Sequence, residues 1–205
     1  MTKIYSLTLV LATAALVAGL GCSGSRPRPV DQSTIQLLMQ LLYRFEDNTW
    51  TDTGIDRLTL VEGLKEIYET AVATSDSELR IRVIYAMGDS GLIEFYPVLL
   101  SAIEFSPFLV CLTLCSMPTD DAVPAVIPYL NDDSETTRSG AIWALGGFPY
   151  YAEYPHAGEE ALTALYNRLE MEPEDWLRDE IADAIATIES QLALNCPPGY
   201  SPTPD

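Results

Sequence analysis

The sequence has little histidine and few basic residues, and both scarcities limit what the protein does. His156 is the single histidine, and no pairing of a base with a nucleophile can be assembled around it. Lysine and arginine number 11 against 30 aspartates and glutamates, so the net charge is −19. This charge argues against nucleic acid as a partner, because phosphate binding needs clustered basic residues. The simplest interpretation is that the negative charge keeps the protein soluble. The alternative is that it binds a basic partner or divalent cations.

Long apolar runs are also scarce, and the one that stands out begins the chain. Lys3 provides a positive start, residues 4–20 are almost entirely apolar, and small glycines precede Cys22. This pattern predicts a signal peptide over residues 1–21 and therefore export. A retained membrane helix is the alternative, although the run is at or just below the ~18–20 residues that span a bilayer.

The segment Ala18-Gly19-Leu20-Gly21-Cys22 resembles the lipobox of bacterial lipoproteins, although Gly19 stands where that motif usually has leucine. The resemblance implies that Cys22 is lipidated and becomes the first mature residue, with cleavage leaving a free Cys22 as the alternative. Ser23 is similar to residues that direct lipoproteins to the periplasmic face of the outer membrane, if the cell has two membranes. Residues 22–31 are then an anchor and flexible tether.

Cysteine is scarce as well, since only Cys111, Cys115 and Cys196 remain after Cys22, so at most one disulfide forms among them. Cys111 and Cys115 lie one helical turn apart, near the upper limit of disulfide reach. We interpret them as small buried residues. Half a metal site is the alternative, but no second cysteine pair accompanies them, so we expect no metal and no cofactor.

A pattern with a period of 29 residues begins at Arg80 and runs towards the end of the chain. Ala86 and Ala144 lie two periods apart, and a degenerate copy lies midway, with Leu109 at the arginine position and Cys115 at the alanine position. A fourth copy follows 40 residues after the third, so it is preceded by an insertion of 11. The other three copies share an arginine, a small alanine and, in two cases, a glycine: Arg80, Ala86 and Gly88; Arg138, Ala144 and Gly146; Arg178 and Ala184.

Each copy predicts a helix with one buried face, because its apolar residues recur at helical spacing. A second helix is predicted after each of the first three copies, over residues 93–103, 123–130 and 161–169. Ser75, three residues before Glu78, fits a capping box at the start of the first copy. Gly88 and Gly146 suit a helix-ending position with left-handed backbone.

This pattern resembles HEAT repeats, particularly the short subtype similar to phycobilisome lyases, over residues 75–194. The resemblance implies an all-α fold, a short right-handed α-solenoid of about five helix pairs. It also implies that the small alanine lets paired helices approach, and that the arginine bonds acidic or carbonyl groups between repeats. Leu109 departs from that arginine position.

The remaining segments complete the domain organisation. Residues 32–74 contain two amphipathic helices without the arginine and alanine signature, which predicts an N-terminal capping pair for the repeats at 75–195. Residues 196–205 hold four prolines and no periodicity, and are expected to be a disordered tail.

Three further motifs suggest chemistry but fit ordinary structure. Residues 88–91, Gly-Asp-Ser-Gly, are similar to the nucleophile loop of trypsin-like proteases, but the chain is helical and its histidine comes later, which favours a turn. The oxygen-rich stretches 47–56 and 131–135 lack calcium-loop spacing, and loop solvation with helix capping accounts for them. We therefore predict no catalytic residues and identify no small-molecule substrate.

The insertion at residues 148–156 is the best candidate for a partner-binding patch. Tyr150, Tyr151 and Tyr154 supply rigid contact area with polar tips. The alternative is that these rings fold back and cover the gap before the shifted fourth repeat.

These observations predict a membrane-anchored envelope lipoprotein that acts as a non-catalytic, protein-binding HEAT-repeat scaffold. Its partner would be an envelope protein whose identity the sequence does not reveal. A lyase-like or maturation-factor enzyme of the same repeat class, or a purely structural envelope spacer, are the alternatives.

Overall fold

The computed structural model describes residues 30–44 and 54–195, which form α-helices and short 3-10 helices joined by turns, without a β-strand. The predicted signal peptide, Cys22 with most of its tether, and Cys196 with the predicted tail lie outside the described residues. No helix in the described ranges combines the length and apolar character that crossing a bilayer requires.

The described helices follow one another with short connections. They are α1 (Gln32–Arg44), α2 (Arg57–Ala73), α3 (Ser77–Asp89), α4 (Tyr96–Ser101), α5 (Pro107–Leu114), α6 (Ala122–Val126), α7 (Glu135–Gly146), α8 (Pro155–Met171) and α9 (Asp175–Asn195). A 3-10 helix, Ile93–Phe95, leads into α4, and another, Ile127–Asn131, continues α6. The second helices thus lie where the periodicity predicts them, except that α8 begins six residues earlier than predicted.

Local sequence explains where several helices begin. Asp56, Asp76 and Ser134 each accept a hydrogen bond from the backbone N–H three residues ahead, which satisfies a donor that the first turn leaves unpaired. Pro97, Pro107 and Pro155 stand in the first turn of α4, α5 and α8, where the missing N–H costs nothing.

The predicted cap at Ser75 is wrong, because that residue ends α2 instead of starting α3. Ser75 has φ 55°, in the left-handed region, and its N–H donates to the carbonyl of Val72 at 3.2 Å. The N–H of Asp76 donates to the carbonyl of Ala71 at 2.9 Å, which completes a Schellman ending. The short α2–α3 connection therefore uses Ser75 as the C-terminal stop and Asp76 as the N-cap.

The first helices of successive repeats, α3, α5, α7 and α9, contact one another in chain order, while α4, α6 and α8 pack beside them. Each first helix buries the same kind of apolar pair. Val83 and Ile84 in α3, Val110 and Cys111 in α5, and Ala141 and Ile142 in α7 are fully buried. This succession confirms the predicted all-α solenoid, which in the described residues comprises four helix pairs followed by α9.

Small residues bring the first helices together. A Cβ added to Gly88 would lie 2.5 Å from Cγ2 of Thr113 in α5, and one added to Gly146 would lie 2.9 Å from Cβ of Ala184 in α9. Real Cβ atoms do not approach so closely, so glycine is required at both contacts. The glycine of one repeat therefore faces the small residue of the next.

These contacts correct the alignment of the degenerate copy. Since Gly146 faces Ala184, the alanine-equivalent residue facing Gly88 is Thr113, and the predicted assignment of Cys115 is wrong. The repeat steps are then 27, 31 and 40 residues instead of the predicted 29, 29 and 40, because the connections differ in length. Thr113 fits this buried position because its hydroxyl donates to the carbonyl of Val110 at 3.0 Å.

The predicted left-handed endings at Gly88 and Gly146 are also wrong. Both lie within their helices, and the glycines with positive φ in the described residues are Gly54 and Gly91. Close helix packing, and not backbone conformation, is what requires glycine at positions 88 and 146.

We predict that Gly88→Ala lowers the free energy of unfolding by about 1–3 kcal/mol, because its methyl group would overlap Thr113. Denaturant titration measures the loss. Thr113→Gly combined with Gly88→Ala is the control, and its destabilisation should be smaller than the sum of the two single effects. Strict additivity would show that the two residues do not compete for one space.

Candidate functional site

The signature arginine of the third repeat, Arg138, lies in a buried network that joins neighbouring elements. Its Nε and Nη2 each donate to a carboxylate oxygen of Glu172 at 3.0 Å. Its Nη1 donates to the carbonyls of Asp132 and Asp133 at 3.0 and 3.1 Å. Arg138 therefore ties the loop before α7 to the turn between α8 and α9.

A second cation completes this network. Arg168 in α8 donates from Nε and Nη2 to Oε2 of Glu172 at 2.9 and 2.7 Å, and the Glu172 side chain has 0% exposure. Burial by itself raises the pKa of the Glu172 carboxyl, but hydrogen bonds from Arg138 and Arg168 outweigh it and hold that pKa below its usual value. The geometry is that of a structural clamp, since every acceptor in it is already occupied. Sequence reasoning missed Glu172, which lies outside the repeat signature.

The other signature arginines have different surroundings. Arg80 donates to the Tyr68 hydroxyl, at 2.9 Å from Nη2, and its guanidinium lies 4.0 Å from the ring centroid of Phe105. It therefore bridges α2 and the segment before α5 through a phenol and a cation–π contact. Arg178 is exposed, and its side chain forms no hydrogen bond within the described residues. In α9 no following repeat is described that its guanidinium could reach.

The tyrosines proposed for partner binding pack largely inwards. Tyr151 is fully buried, and its hydroxyl donates to the carbonyl of Leu145 at 2.7 Å. Tyr154 donates to the carbonyl of Pro118 at 3.2 Å, and the buried ring of Phe148 lies 5.5 Å from that of Tyr150. The geometry corresponds to the alternative in which the insertion covers the gap before the shifted repeat. Tyr151 has no surface to offer a partner, because closing that gap buries its ring.

The motifs weighed for chemistry serve packing and turns. The Ser90 hydroxyl donates to the carbonyl of Met87 at 2.7 Å, within a turn that ends α3. The Asp132 carboxylate accepts the N–H of Ser134 at 2.8 Å. The side chain of His156 is 92% exposed at the start of α8. None of these residues faces an arrangement suited to catalysis.

Cys111 and Cys115 are buried and unpaired, as interpreted from the sequence. Burial raises the pKa of Cys111 to about 12 and raises that of Cys115 as well. Both thiols are therefore protonated and unreactive at neutral pH.

A row of apolar side chains crosses the solvent-facing side of the first helices. With the corrected repeat steps, Ile81 and Tyr85 in α3 correspond to Phe108 and Leu112 in α5, and Tyr85 corresponds to Trp143 in α7. Trp143 is 51% exposed, Ile81 38% and Tyr85 36%, while Phe108 and Leu112 are half-buried. We call these five residues the apolar row.

The row is continuous between α5 and α7. The rings of Phe108 and Trp143 meet edge to face with centroids 6.2 Å apart. A Cβ added to Gly140 would lie 2.6 Å from Cδ2 of Phe108, so this glycine leaves space for the ring on the surface of α7. Phe108 therefore links the two helices and supports Trp143 from the side.

We predict that Glu172→Gln lowers the free energy of unfolding by about 3–5 kcal/mol, because it leaves the buried Arg138 and the partly buried Arg168 without their carboxylate. Denaturant titration at pH 7 measures this loss. Glu170→Gln, an exposed neighbour on α8, is the matched control and should stay within about 0.5 kcal/mol.

The same clamp makes the free energy of unfolding depend on pH. The pKa of Glu172 is lower in the folded protein than in the unfolded chain. The stability that Glu172 contributes is therefore complete above the usual glutamate pKa of about 4.3. It is lost as the pH falls through the lower pKa that Glu172 has in the folded protein. The difference between wild type and Glu172→Gln should shrink over that range, whereas a constant difference would contradict the clamp.

Comparison with known proteins supports the same architecture. Residues 108–186 match the family model described as HEAT repeats, a range that runs from α5 into α9. Neither the curated proteins nor the solved structures compared with this chain include a match. The matched segment contains the apolar ring pair and the Arg138 network, and the helices before it stack in the same way. Residues 108–186 are therefore similar to HEAT repeats, and the described part of the chain is an all-α solenoid.

Proposed function

We propose that this protein is a non-catalytic scaffold that binds a partner protein along the apolar row and is held in the cell envelope by a lipid on Cys22. One observation carries the binding proposal: three successive repeats present large apolar side chains at equivalent surface positions. Stacked repeats form extended surfaces that suit protein binding. Aromatic residues such as Trp143 and Tyr85 are also enriched among the residues that dominate interface energies.

The arrangement of the row matters more than the exposure of any one residue. Leu58, Leu100 and Met171 are also exposed, but they lie on α2, α4 and α8, outside the row. Single exposed apolar residues are normal on a soluble protein and need no partner. An inert spacer does not need large apolar side chains at matched surface positions in three repeats, which favours a binding function.

The anchoring part of the proposal rests on the first residues of the sequence. The apolar run that ends at Cys22, with small residues beside it, supports export and lipidation. Residues 22–31 would then connect the lipid to α1. Ten residues span at most roughly 35 Å when fully extended, so the repeats would stay close to the membrane.

We predict that Trp143→Ser weakens partner binding by about 30-fold, equivalent to the roughly 2 kcal/mol of an aromatic hot spot. Crosslinking and pull-down from the native cells, with quantification of the captured protein, measures this. Leu100→Ser on α4 removes an apolar side chain with 41% exposure and is the matched control that should not change capture. Equal recovery with Trp143→Ser and wild type would remove the apolar row from the proposed function.

We predict that the protein incorporates a labelled fatty acid in growing cells and that Cys22→Ser abolishes the label. Cys196→Ser, which removes the other cysteine outside the folded repeats, should label like wild type. Equal labelling of all three proteins, or none in wild type, would refute the lipid anchor and leave the binding proposal untouched.

A further inference from the structure

The surface that carries the apolar row changes character at its last helix, and this change indicates what kind of partner it fits. At the 40-residue step from α7 to α9, Ser139 corresponds to Asp179 and Trp143 corresponds to Asp183. Both aspartates are exposed. The same two positions hold apolar residues in α3 and α5. In α7 they hold Ser139 and Trp143, and in α9 both hold aspartates.

The two aspartates are free to receive a cation. Neither is in an ion pair within the described residues, and Arg178 beside them is likewise unpaired there. The nearby Glu180 is engaged, since it accepts a hydrogen bond from the Ser139 hydroxyl at 2.9 Å. That bond joins α7 to α9 next to the row and fixes the distance between its apolar and acidic parts.

Trp176 adds an aromatic surface to the acidic end. It precedes Asp179 and Asp183 by three and seven residues, which places all three on one face of α9. Its side chain is 45% exposed. A tryptophan ring beside carboxylates is a favourable environment for lysine or arginine, which gain from both the charge and the ring face.

We propose, on the basis of the proposed function, that the partner presents a segment whose apolar side chains contact the row and whose lysine or arginine side chains lie over Asp179 and Asp183. Neighbouring helices pack about 8–10 Å apart, so the surface from α3 to α9 is roughly 24–30 Å long. A helix of about 16–20 residues covers that length. The net charge of −19 opposes a second copy of this chain as the occupant.

The test places a photo-crosslinking amino acid at Leu112, within the row, in the full chain expressed in its native cells. Mass spectrometry then identifies the segment of the captured protein that is joined to it. We expect an apolar segment followed by lysine or arginine. An acidic segment, or a segment of this same chain, would overturn the proposed partner class.

Charge variants make the test quantitative. Asp179→Asn combined with Asp183→Asn should reduce capture about three- to ten-fold, since two exposed ion pairs are lost. The control is Glu159→Gln combined with Glu160→Gln on α8, which removes the same charge from exposed positions away from the row and should leave capture unchanged. Sodium chloride should weaken wild-type capture and should have less effect on the Asn pair.

The outcomes separate this inference from the proposed function. If Trp143→Ser abolishes capture but the Asp179→Asn, Asp183→Asn double variant does not alter it, the row binds a partner and the inferred contact with basic side chains is wrong. If both double variants lose capture equally, general charge and not α9 is responsible, which also overturns the inference. If no protein is captured, or Trp143→Ser has no effect, the proposed function itself fails.

Discussion

Close contact between the first helices of successive repeats is the constraint on which the rest of this structure depends. Each helix has one apolar stripe, and alone it could not keep that stripe from water. Gly88 against Thr113 and Gly146 against Ala184 let the backbones approach until the stripes are covered. A methyl group at either glycine would separate two repeats, so the whole stack is sensitive to one carbon atom at these positions.

Polar groups at the ends of the repeats are satisfied by side chains that reach across from other elements. Arg138 binds two backbone carbonyls and the Glu172 carboxylate, and Arg168 binds the same carboxylate from α8. A buried glutamate with only one arginine would leave acceptor sites unfilled, whereas two arginines supply enough donors. Arg80 achieves a related connection without a carboxylate, through Tyr68 and Phe105.

The apolar row is a consequence of the same stacking. Because equivalent helices lie side by side, side chains at one position of the repeat come into line on the surface, as the contact between Phe108 and Trp143 shows. At this position the residues are apolar in α3, α5 and α7 and acidic in α9, so the two ends of the surface differ in charge. A repeat fold can in this way favour one orientation of a bound segment while the backbone of every repeat stays the same.

Local sequence was sufficient to predict the helical class and the order of the helices, since hydrophobic periodicity and repeated residues indicate helices that pack in the same way. The bonding of Arg138 to acidic and carbonyl groups was implied by the resemblance to HEAT repeats. It misplaced the register of the second repeat, because Cys115 and Thr113 are both small and only contact with Gly88 distinguishes them. The predicted cap at Ser75 was wrong, and the tyrosine insertion had two interpretations, for a related reason. Ser75 ends one helix beside the start of another, and the rings at 148–154 could face either solvent or the core.

Glu172 and the apolar row became visible only in three dimensions. Glu172 meets Arg138 from 34 residues away, a distance in sequence that no local pattern relates to charge pairing. The row depends on repeat steps of 27, 31 and 40 residues, which no constant period reveals. Periodicity specifies which face of each helix is buried, but the lengths of the connections set how one helix is aligned with the next, and that alignment is decided by packing.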